Sequence, residues 1–117
     1  MSDDYPGLAK DLMRSIGQLR KDIPETMEPF GKLGQAVYGE GGALDHKTRE
    51  LIALAIAIAI RCDGCIAFHA RAVCEQDATR QEVLDTISVA IHMGGGSSLV
   101  YSAEALRAYD QFLAERG

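Results

Sequence analysis

The chain has 117 residues, 47% of them hydrophobic, and a formal net charge of −5. That is enough apolar material for one packed domain over residues 1–117, and it excludes a disordered tail. The acidic balance argues against nucleic acid or an anionic membrane surface as the main partner.

The first five residues, Met1-Ser2-Asp3-Asp4-Tyr5, are acidic and lack the apolar stretch of a secretory leader. Leu8, Leu12, Ile16, Leu19 and Ile23 then recur at steps of four, four, three and four, one face of a helix. Asp3 or Asp4 is the expected cap, Pro6 lies in the first turn, and Pro24 ends the helix. A second helix over residues 25–38 places Met27, Phe30, Leu33 or Gly34, and Val37 on one side, with Pro29 tolerated in its first turns. Gly39-Glu40-Gly41-Gly42 reads as a chain reversal. A phosphate cradle needs a following Gly-Lys-Ser/Thr, which is absent.

Asp45 suits the N-cap of a third helix over residues 46–61. Its centre, Leu51 to Ile60, is ten apolar residues, about half of a membrane span. Isoleucine and alanine alternate there, but both are apolar and alanine disfavours strands, so the reading is helix. A helix apolar on every side is buried on every side. In so short a chain that calls for cover from a partner subunit. A fourth helix starts at Cys62 or Asp63 and runs to about Gln76. Thr79 and Glu82 form a capping box for a fifth, carrying Val83, Leu84, Ile87 and Ile91. Gly94-Gly95-Gly96 breaks it. Ser97 or Ser98 is the expected cap of a sixth, with Leu99, Ala103, Leu106, Tyr109 and Leu113 facing inward. The fold class expected is an all-α, single-domain bundle of about six helices.

Three cysteines, two of them in Cys62-x-x-Cys65, do not make a secreted disulfide scaffold. In a reducing cytosol, the expected compartment, such a pair is catalytic or metal-binding more often than a permanent staple. Cysteines three apart in the first turn of a helix face the same way and can close a disulfide. The helix dipole and Arg61 favour thiolate. His69, four residues past Cys65, lies one turn on along the same face and can take a proton from that sulfur. If the third and fourth helices reverse around residues 61–63, Glu50 and His69 lie roughly 16 and 11 Å from the corner at about 1.5 Å per residue. A tilted crossing, with one water if needed, lets Glu50 orient the imidazole. A thiolate that attacks a peroxide becomes a sulfenic acid, and the neighbouring thiol condenses with it to a disulfide. The dipole favours Cys62 as the more acidic thiol, whereas the histidine favours Cys65, and the histidine is given more weight. The competing reading is zinc on Cys62, Cys65 and His69, with His92 or His46 as fourth ligand; the dithiol site needs no metal and no cofactor. Cys74 reads as a small buried hydrophobe, His46 as solvent-facing, and the Met and Tyr residues as core.

Glu50, twelve residues before Cys62-x-x-Cys65, with His69 four beyond, resembles the AhpD-like alkylhydroperoxidases of the carboxymuconolactone decarboxylase superfamily. The flanking residues Leu44 to Ala55 and Met93-Gly94-Gly95-Gly96 agree, and the core motif spans residues 45–96. The resemblance implies a thiol-dependent peroxidase, with Cys65 attacking, Cys62 resolving, and Glu50 and His69 relaying protons. It also implies an obligate homo-oligomer, a trimer or hexamer, and a lipoyl-bearing or thioredoxin-like reductant. The best-studied peroxidase members carry a histidine just before the second cysteine, where Gly64 stands here, so the relay is thinner. The lactone-decarboxylating branch does not rely on the cysteine pair, so the intact pair argues against a lyase. The alternatives are a redox-sensing or metal-binding helical oligomer without turnover, and a carboxymuconolactone-decarboxylase-type lyase.

Overall fold

Local signals set each helix boundary. The computed structural model describes residues 1–117 as α1 (Tyr5–Asp22), α2 (Pro24–Tyr38), α3 (His46–Ala59), α4 (Asp63–Glu75), α5 (Arg80–Gly94) and α6 (Gly96–Arg116). Asp4 caps α1 by accepting from the Gly7 N–H at 3.0 Å, and Asp45 caps α3 by accepting from the Thr48 N–H at 2.8 Å. The capping box of α5 is complete: Thr79 Oγ1 accepts from the Glu82 N–H at 3.0 Å, and Glu82 Oε1 accepts from the Thr79 N–H at 2.8 Å.

The start of α6 differs from the expectation. Neither serine caps it. Gly95, at φ 73°, turns the chain in a conformation that favours glycine, and α6 begins at Gly96 without a side-chain cap. Of its predicted inner face, Tyr109 is buried and Leu106 packs against the core, but the rest of the buried stripe runs through neighbouring residues. Ser98, Ser102, Ala105, Ala108, Tyr109 and Phe112 are buried, while Leu99 and Leu113 are exposed. Small residues let α6 lie close to α4 and α5, so the seam is marked by size rather than by hydrophobicity.

The core is built where α4 meets α3, α6 and α1. Leu54 and Ile58 of α3, Ile66 and Val73 of α4, Val83 of α5 and Tyr109 of α6 are fully or almost fully buried. Tyr5 ties α1 to α6, its hydroxyl donating to Glu104 Oε1 at 2.8 Å inside the protein. This fixes α1 across the start of α4.

α3 is not buried on every side within one chain. Glu50, Leu54, Ala57 and Ile58 face inward, whereas Ile52, Ile56 and Ile60 form an exposed stripe. α2 buries nothing, and Phe30, Leu33 and Val37 are exposed. No helix is long and apolar enough to cross a membrane.

Candidate functional site

The corner between α3 and α4 puts the cysteines where they stand. The Cys62 N–H bonds to the Ala57 carbonyl at 3.1 Å and the Arg61 N–H to the Ile58 carbonyl at 3.2 Å, the paired bonds that close a helix C-terminus. Arg61 takes the left-handed conformation this closure needs, at φ 59°. The next residue, Cys62, is already the N-cap of α4, and its sulfur accepts from the Cys65 N–H at 3.2 Å. With no linker to spare, both cysteines fall in the first turn. Their Cα atoms are 5.2 Å apart and the sulfurs are joined in a disulfide.

Gly64, between them, is where α1 comes closest. A Cβ there would stand 2.7 Å from Leu12 Cδ1. The space that a side chain before the second cysteine would enter is occupied by Leu12.

Glu50 and His69 meet directly, without a bridging water: Glu50 Oε1 lies 2.7 Å from His69 Nδ1. Packing of α3 on α4 brings the two levels together across the corner. The other carboxylate oxygen, Oε2, lies 3.1 Å from His46 Nε2, one turn earlier on α3. Burial alone pushes the Glu50 carboxyl up. The bonds from His69 and His46 outweigh it and hold the group below the usual carboxylate value. An ionised carboxylate only accepts, so each bonded ring nitrogen carries its proton. That leaves Nε2 of His69 as the nitrogen turned away from Glu50, a lone pair when the ring is neutral.

A cavity of about 340 Å³ opens beside this group. Cys65 and His69 share it with Tyr38 and with apolar walls from Ile52, Ile56 and Ile60. Cys62 is not part of the lining. The Tyr38 ring stands 5.9 Å from His69 and 6.0 Å from His46, centroid to centroid. Burial, and then the Glu50 charge, push its phenol above the usual value. Arg49 fixes the turn that carries Tyr38 into place, donating to the carbonyls of Val37, Gly39 and Gly41.

The structure therefore brings together Cys62, Cys65, His69 and Glu50. It adds two residues that sequence reasoning missed. His46 was read as solvent-facing, or as a fourth zinc ligand; it is part-exposed and bonds Glu50, and its position one turn before Glu50 was the available signal. Tyr38 was assigned to the core, and nothing in the spacing of α2 marked it. His92 is exposed and takes no part in this cavity. Cys74 is buried as expected, with its thiol pushed up to about 11 by burial. No group of three or more His, Cys, Asp or Glu side chains is arranged to hold a metal ion.

Fold and corner together define a small all-α protein built around a Cys-x-x-Cys at a helix start. The chain belongs to the carboxymuconolactone decarboxylase family, whose model matches residues 24–108. It is similar to a carboxymuconolactone decarboxylase family protein from Legionella pneumophila, crystallised in the apo form, at 46% identity and a TM-score of 0.91, covering 96% of this chain and 99% of that one. It is 38% identical over 109 residues to an uncharacterized protein of Haemophilus influenzae, covering 93% of this chain and 96% of the relative. It is 31% identical over 110 residues to an uncharacterized protein of Cupriavidus necator, covering 94% and 96%.

Proposed function

We propose that this chain is a thiol-dependent peroxidase that reduces alkyl hydroperoxides through a dithiol–disulfide cycle. The observation that carries the reading is the cavity shared by Cys65 and His69, with Glu50 bonded to the far side of the imidazole. Cys65 is the attacking cysteine, because its neighbour in the cavity is the base, and Cys62 resolves.

The chemistry balances. His69 Nε2 takes the Cys65 thiol proton. The thiolate attacks the outer peroxide oxygen and the O–O bond breaks. The leaving alkoxide takes a proton and departs as the alcohol, and Cys65 becomes a sulfenic acid. The Cys62 thiol then displaces the hydroxyl, which leaves as water, and the disulfide forms. An external dithiol, lipoyl-bearing or thioredoxin-like, supplies two electrons and two protons to restore the pair. The apolar walls of the cavity suit the alkyl part of the hydroperoxide.

The working form in this reading is a homo-oligomer, a trimer or hexamer, in a reducing cytosol. The exposed apolar side chains of α2 and α3 support that, since they are the residues a second copy would cover.

Steady-state peroxide consumption with lipoyl and thioredoxin-like donors tests the proposal. Cys65→Ser abolishes consumption, and Cys62→Ser stops turnover after one peroxide. Lactone decarboxylation that is indifferent to Cys65→Ser would point to the lyase chemistry in the family's name instead.

A further inference from the structure

His46 shares one carboxylate with the base of the proposed site. We infer that His46 is a positioning residue that sets the basicity of His69 from outside, through the two oxygens of Glu50. The role deepens the peroxidase reading and rests on it, because that reading makes His69 the base.

The two contacts are unequal. Oε1 of Glu50 takes His69 at 2.7 Å, and Oε2 takes His46 at 3.1 Å. The carboxylate is buried, its side chain 8% exposed, whereas the His46 side chain is 42% exposed. His46 can therefore exchange protons with solvent at its other nitrogen while it holds the buried charge. When that ring is neutral, Glu50's negative charge acts mainly on His69. When it is protonated, it draws on the same charge and adds a like charge nearby. Tyr38 stands beside both rings.

Other charges around the pair are accounted for. From α2 the Tyr38 phenol faces it. Glu40 and Asp45 border the same loop hollow as His46, and the Asp45 carboxylate is engaged as the cap of α3. Lys47 is paired to Glu82 of α5 at 2.9 Å, and Arg49 is engaged by loop carbonyls. From α4 come His69 itself and Cys65, which does not titrate while the disulfide is closed. His46 is thus the exposed group that can change charge in direct contact with Glu50.

The test follows the His69 ring signal by NMR against pH in the full chain, kept in the disulfide form. His46→Gln keeps a donor for Glu50 but cannot gain charge. It moves the His69 titration to higher pH by about half a unit, roughly a three-fold change in proton affinity. His46→Arg places a fixed cation there and moves the titration to lower pH. A merely structural role would move both variants the same way. An unchanged His69 titration in both variants, or a shift of the same sign in both, overturns the inference. The measurement needs no turnover, so a chain that consumes no peroxide overturns the peroxidase reading and not the coupling.

Discussion

Glu50 and His69 stand nineteen residues apart in the chain and 2.7 Å apart in space. The corner at Arg61 and Cys62 makes this possible, because one residue closes α3 and the next caps α4. The contact ties the buried carboxylate of one helix to the imidazole on the other, and from it the first prediction follows.

Glu50→Gln keeps the shape of the side chain and removes its charge. Glutamine offers one carbonyl to two ring donors and turns its amide toward the second, so one charge-assisted bond is lost and that ring must change tautomer or turn to water. The expected cost is about 1–3 kcal/mol in denaturant unfolding. In the peroxidase reading the rate of thiol oxidation also falls by roughly 100-fold, because the base loses its orienting anion.

Acid sensitivity has a definite sign. Glu50 titrates below its ordinary value of 4.5 in the folded chain. Its contribution to stability is present above that value and is lost as pH falls through the folded value. Unfolding free energies measured at descending pH should drop through the acid range, and the drop should be shallower in Glu50→Gln.

Gly64 tests the packing of α1 on the site. Histidine at this position enters the space of Leu12, and Gly64→His destabilises the chain by about 1–3 kcal/mol. Leu12 Cδ1 is the end of a flexible side chain, so the double variant with Leu12→Ala recovers part of that loss. Thermal melts of the two single variants and the double variant measure the coupling.

The apolar face gives a prediction about assembly. Phe30, Ile56 and Ile60 are 70%, 54% and 60% exposed in one chain of 12.6 kDa. In the oligomer proposed here they are covered. Sedimentation then gives a multiple of the chain mass, and Ile56→Asp with Phe30→Asp shifts it toward a single chain.

Much of the bundle was legible because its signals are local. Asp45, Thr79 with Glu82, and Pro24 each act through their own backbone neighbours, and each boundary fell within a residue or two of its expected place. The Glu50–His69 pair was legible for a related reason: spacing along α4 puts His69 on the same face as Cys65, and the corner fixes which level of α3 meets it. The inner face of α6 was legible only in part, at Tyr109 and Leu106. Leu99 and Leu113 looked like core by hydrophobicity, but close helix approach selected Ser98, Ser102 and Ala105 instead. Tyr38 enters the site because Arg49 pins the preceding loop, a contact between elements that no periodicity within α2 carries.

The most direct measurement counts thiols in the fully reduced chain before and after one equivalent of an alkyl hydroperoxide. The expected result is rapid loss of two thiols with one alcohol formed, Cys74 remaining free because burial keeps it protonated near neutral pH, and full recovery on adding a dithiol donor. Peroxide left unconsumed with all three thiols intact, or consumption undiminished in Cys65→Ser, would contradict the account.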